Sequence, residues 1–278
     1  MTLRPVDEDD PLEDFQHREV TLLGQTRRVY VAGAGPAVID MAEMPGISPL
    51  VARFARWVRD AGFSAWMPSL FGRDGAVPTV TEGRGVLQRA CVSREFRALA
   101  ANESSPITIW LRALAPHAHA TCGGPGVGAI GMCFTGNFAL SMMLDKAVLA
   151  PVLCQPSLPL DDPAGINMAP DELAHVRQRM VDEDLTALAY RFEGDSFCRA
   201  ERFAAYQRAL GDRFVARVLP DGSAGPKSRH PDDFFTLIPT PHSVVTVHLV
   251  DEEGQPTAVA RDEILAFFRR RLSGDASR

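Results

Sequence analysis

A chain of 278 residues, 46% apolar and 23% charged, has room for a sizeable buried core without disulfide or metal staples. Its 29 Lys and Arg against 35 Asp and Glu give a formal charge of -6, which argues against nucleic acid and anionic membrane as main partners, since basic surface holds both. The cysteines at positions 91, 122, 133, 154 and 198 are odd in number and form no CxxC pair, so reduced cytoplasmic thiols are expected rather than a disulfide framework.

Residues 1–16 are acidic and proline-containing, with no apolar run of the kind a secretory leader carries. They read as a flexible arm ahead of a single domain over 17–278. The runs Arg18–Leu23 and Thr26–Val31, parted by Gly24 and Gln25, suit a hairpin. Ala37–Ala42 is compact and apolar, as in a strand buried on both faces. Ser48 can cap a helix with Pro49 in its first turn. Leu50, Val51, Phe54, Trp57, Val58 and Ala61 then make one apolar stripe, and Gly62 stops it.

The alternation continues with a strand at Phe63–Leu70 and helical patterns around 86–100 and 106–117. A strand at Val127–Met132, a helix at Thr135–Leu144 and a strand at Ala147–Cys154 come next. Helices are expected at Pro170–Asp182, Phe197–Leu210 and about Ala258–Leu272, and strands at Thr186–Phe192 and Arg213–Leu219. The span Ala113–Leu144 lacks formal charge, but its prolines, histidines and glycines fit a buried strand–turn–helix better than a membrane span. Pro220–Asp233 is the one long irregular stretch. Strands alternating with helices imply an α/β fold with a mostly parallel sheet covered on both faces.

The segment Val127–Gly136 runs from a strand through Gly131-Met132-Cys133-Phe134-Thr135-Gly136 directly into a helix. This is the setting of a nucleophile elbow, and Cys133 takes the nucleophile position at a helix N-terminus. A buried structural cysteine is the plainer alternative. A nucleophile needs a base and the base an orienting acid; behind such an elbow they follow in the order acid, histidine. Asp195, just past the strand ending at Phe192, is placed where parallel sheets build sites; it could instead cap the following helix, and Glu193 is its rival. Of the later histidines, His242 follows the turn-like Pro239-Thr240-Pro241. His248 lies inside the apolar run Ser243–Val250 and reads as a packing residue, and His230 sits in the polar irregular segment. Gly126-Val-Gly-Ala-Ile-Gly131 matches GxGxxG but lies in and before a strand, which is the wrong context for a dinucleotide. His117-Ala-His119 has the shape of a metal pair without a third ligand nearby.

With these residues in view, the sequence resembles the dienelactone hydrolase family of α/β-hydrolases over about residues 20–272. The family's Gly-x-Cys-x-Gly-Gly elbow corresponds to Gly131–Gly136, with Thr135 in place of the first glycine after the cysteine. Gly194-Asp195 matches its acid motif and Pro241-His242-Ser243-Val244 its histidine motif. Ala42-Glu43-Met44-Pro45-Gly46 resembles the segment after the third strand. The resemblance implies that Glu43 approaches the resting thiol and that the amides of Met44 and Phe134 form the oxyanion hole. It further implies hydrolysis of a small-molecule ester or enol-lactone by a monomer or homodimer without cofactor or metal. Arg73, Arg94, Arg97 and Arg112 are candidates, without a motif, for binding a substrate carboxylate. A general carboxylesterase or thioesterase, or a non-catalytic binding module on the same fold, are the alternative readings.

Overall fold

The computed structural model describes residues 4–92, 105–226, 232–238 and 241–273. β1 (Gln16–Leu22) and β2 (Gln25–Gly33) form the expected hairpin, and β3 (Ala37–Met41) is buried along its whole length. α1 (Pro49–Asp60) starts where Ser48 Oγ accepts the Val51 amide, and it sinks Val51, Phe54, Ala55 and Val58 into the core. β4 (Ser64–Pro68), α2 (Val80–Val92), α3 (Pro106–Cys122) and β5 (Val127–Met132) follow. Then come α4 (Phe138–Met142), β6 (Val148–Cys154), α5 (Pro170–Asp182) and β7 (Ala187–Phe192), and finally α6 (Ala200–Leu210), β8 (Phe214–Leu219) and α7 (Pro256–Leu272).

The sheet has eight strands in the order β1-β2-β4-β3-β5-β6-β7-β8. β2 is antiparallel to β1 and β4; the remaining pairs are parallel. One core joins the sheet to α3, α4, α5 and α6; the other joins it to α1 and α7. Side chains alternate between them, so on β3 Val38 packs with α1 and α7 while Ile39 and Met41 pack on the opposite face. This is the mostly parallel α/β sheet that the strand–helix alternation implies.

Several local expectations are corrected. α2 begins earlier than read, because Thr79 and Glu82 cap each other's amides at its N-terminus; the rest of the 86–100 pattern lies outside the described residues. α3 runs past Pro116 to Cys122. A proline removes one helical hydrogen bond, and the buried Leu114, Ala115 and Ala118 hold that turn against the core. The helix expected at Thr135–Leu144 opens as a 3-10 turn, Cys133–Thr135, before α4. The run Ser243–Val250, left without an assigned element by its sequence, is irregular, with turns over residues 244–248. No described helix is long and apolar enough to cross a membrane; the uncharged span Ala113–Leu144 divides among α3, β5 and α4.

The acidic arm is tied down over residues 4–15 rather than loose. Arg56, on α1, bonds both Asp10 and Asp14, while Arg59 meets Asp14 and Arg73 meets Asp9. Leu12 and Phe15 are buried. The amide of Asp10 donates to the Gly75 carbonyl at 2.7 Å, and the Gly75 amide to the Ile47 carbonyl at 2.7 Å, so the arm reaches the loop after β3.

Candidate active site

Strands β3, β5, β6 and β7 run parallel and side by side, so the segments leaving their C-terminal ends meet on one edge. The elbow follows β5. Gly131 and Gly136 are required there by close approach: a Cβ on Gly131 would lie 2.1 Å from the Thr135 carbonyl oxygen, and one on Gly136 2.5 Å from Pro156 Cα. Between them Cys133 takes φ = 54°, a left-handed conformation unusual for a side chain with a Cβ. Thr135 is wholly buried. Its hydroxyl accepts the Met132 amide at 2.9 Å and sits within donating distance of the carbonyls of Met41, Ala42 and Met132. It therefore ties the elbow to the end of β3.

Asp195 is delivered by the loop after β7. Its Oδ2 lies 2.7 Å from His242 Nδ1, and its Oδ1 accepts the amides of Phe197 and Cys198 at 2.8 and 3.0 Å. Burial would raise the carboxyl, but the imidazole and these amides outweigh it and hold Asp195 below its ordinary value. Glu193, the rival acid, is exposed. His242 is wholly buried. Burial disfavours its charged form, yet the charges of Asp195 and Cys133 and its hydrogen bonds to both carry its affinity for a proton well above that of a free imidazole. Its Nδ1 faces the carboxylate, and its Nε2 lies on the opposite side, towards Ser157. The Phe197 ring packs edge-on against the imidazole, centroids 5.4 Å apart.

His248 does more than pack. Its Nδ1 accepts the amides of both His242 and Ser243 at 3.1 Å, fixing the backbone that presents His242. His230 lies outside the described residues, as do Arg94 and Arg97. Arg73 is bonded to Asp9, and Arg112 to Glu172 at 3.0 Å. The His117–His119 pair is engaged locally: His117 packs edge-on against Trp66, and His119 donates to the Gly124 carbonyl at 2.9 Å.

Glu43 departs from the arrangement that the resemblance implies. It is 1% exposed, and its two oxygens take hydroxyls from Ser243 (2.6 Å) and Thr246 rather than the thiol. Burial raises its pKa, with the two hydroxyls and the charge of His242 pulling the other way. The register that sets Met41 opposite Gly131 brings the segment carrying Met44 next to the elbow carrying Phe134.

Ser157, in the segment after β6, is a residue that sequence reasoning missed. Its amide donates to the Cys133 carbonyl at 3.0 Å. Its hydroxyl lies 3.6 Å from Cys133 Sγ, 3.4 Å from His242 Nε2 and 3.0 Å from the Gln155 carbonyl. No motif marks it, because only the parallel pairing of β5 with β6 brings it to the thiol.

The family model for the dienelactone hydrolase family matches residues 25–190. No curated protein matches the chain. Among solved structures, m3DLH is 18% identical with TM-score 0.56, over 94% of this chain and 100% of that one. A dienelactone hydrolase-like promiscuous phosphotriesterase from metagenomic libraries is 14% identical with TM-score 0.55, over 94% and 100%. A puromycin hydrolase is 12% identical with TM-score 0.57, over 94% of this chain and 40% of that one. These likenesses establish the α/β-hydrolase fold.

Proposed function

Because the chain belongs to the dienelactone hydrolase family, we propose that it cleaves a small-molecule ester or enol-lactone through a thioester on Cys133, with His242 as base and Asp195 as its orienting acid. The single observation that carries this reading is the chain of contacts from buried Asp195 through His242 and Ser157 to the partly buried Cys133 at the sheet edge.

In this mechanism His242 Nε2 takes the thiol proton and the sulfur attacks the acyl carbon. The amides of Met44 and Phe134 receive the developing oxyanion; one such donor is typically worth about 3–4 kcal/mol. The carbon–oxygen bond breaks, and the leaving alcohol or enol takes the proton from the imidazolium. Water, deprotonated by His242, then attacks the thioester, releasing the acid and restoring the thiol. Asp195 holds the imidazole with Nδ1 as donor throughout. Glu43 supports the loop of His242 through Ser243 and Thr246. The mechanism needs no cofactor or metal. The free thiols fit a cytoplasmic protein, acting as monomer or homodimer.

The test is hydrolysis of a dienelactone and of an activated aryl ester by the wild type and by Cys133→Ala. Lactone turnover that disappears in the variant is the expected result. Turnover of the aryl ester alone would make the protein a general esterase. No Cys133-dependent turnover on either substrate would overturn the reading.

A further inference from the structure

In the family pattern a glutamate approaches the resting thiol, but here both oxygens of Glu43 are occupied by Ser243 and Thr246. The hydroxyl beside the sulfur belongs to Ser157, which is 1% exposed. Its backbone is tied to the elbow: the Ser157 amide donates to the carbonyl of Cys133 itself at 3.0 Å, which keeps the two residues side by side.

The hydroxyl carries one hydrogen and faces three acceptors. With thiol and imidazole neutral, its best acceptor is the Gln155 carbonyl at 3.0 Å. Once the thiol proton has moved to His242 Nε2, the sulfur is an anion and Nε2 a donor. The hydroxyl can then turn its hydrogen onto Sγ at 3.6 Å while its oxygen accepts from Nε2 at 3.4 Å. Hydrogen bonds to charged partners are stronger than neutral ones, so this rotation favours the ion pair over the neutral pair. No proton is gained or lost by Ser157; the thiol hydrogen ends on the imidazole.

We propose that Ser157 is a catalytic residue whose hydroxyl switches from the Gln155 carbonyl to the Cys133 sulfur, stabilising the thiolate–imidazolium pair in the place that the family resemblance gives to Glu43. The proposal rests on Cys133 as nucleophile and His242 as its base. The other ionisable groups around the pair are Asp195 after β7, Glu43 after β3, Cys154 at the end of β6 and Cys198 ahead of α6. None of these is altered by a change at Ser157.

The experiment is the pH dependence of Cys133 alkylation by iodoacetamide, followed by peptide mapping so that Cys122 does not contribute. Ser157→Ala should move the midpoint up by about one pH unit, roughly a tenfold loss of rate on the acidic side. Ser157→Thr and Ser157→Val have equal volume and differ in the hydroxyl. Thr should stay near the wild-type midpoint and Val should move with Ala, which keeps the test decisive should the Ala variant fail to fold. Midpoints unchanged in folded variants lacking the hydroxyl would overturn the proposal. Alkylation needs no substrate, so this outcome is independent of lactone turnover. A wild-type Cys133 that is alkylated no faster than Cys122 at any pH would instead count against the nucleophile assignment itself.

Discussion

The two oxygens of Asp195 do different work. Oδ1 holds the turn through the amides of Phe197 and Cys198, and Oδ2 holds His242. Asp195→Asn separates these tasks. The amide oxygen can keep the turn, but its N–H₂ now faces Nδ1 and forces the imidazole into the tautomer with a proton on Nε2, where it cannot act as base. The expected result is a fall in kcat of about 10³–10⁴ with little change in melting temperature. A fall of less than tenfold would move the acid's role elsewhere. At this scale the sequence is legible in the placement of Cys133 and Asp195 just past strand ends and in the meeting of Asp195 with His242; the roles of the three residues belong to the proposal. Ser157 and the amide-binding role of His248 were not legible, because each depends on a neighbouring segment whose placement no local pattern encodes.

Elements were readable wherever capping and burial agreed with periodicity. α5 and β5 lie where the sequence places them, since Pro170 starts the first and unbroken apolar burial defines the second. The Thr79–Glu82 capping pair was present in the sequence as Thr-Val-Thr-Glu, yet weak periodicity hid it. The elbow was legible as a motif, but what holds it was not: Thr135 supplies a hydroxyl where the family pattern has glycine. Thr135→Val preserves shape while stranding the Met132 amide and removing the link to the end of β3. It should cost about 1–3 kcal/mol in urea unfolding. It should also slow acylation, because the Met44 segment and the elbow lose their common tether. Unchanged stability would show that the hydroxyl is dispensable to the turn.

For the molecule as a whole, Asp40 is an unexplained cost: it is fully buried in β3 with neither carboxylate oxygen hydrogen-bonded among the described residues. Burial drives its pKa well above 3.8, so the folded chain keeps a proton that the unfolded chain releases. Stability therefore declines as pH rises above the unfolded-state value, by up to about 1.4 kcal/mol per pH unit until the folded group also ionises. Asp40→Asn should remove this dependence, so that its unfolding free energy gains on the wild type between pH 4 and neutrality. Parallel pH profiles for the two proteins would refute the assignment. The arm carries the opposite arithmetic in space rather than in pH. Asp9, Asp10 and Asp14 are the counter-ions of Arg73, Arg56 and Arg59, and the same strap is anchored beside the segment that bears Met44. A gene fragment begun at the first strand would thus leave Arg56 sunk without its neutralising partners Asp10 and Asp14. The proper starting boundary of the folding unit lies upstream of Asp9.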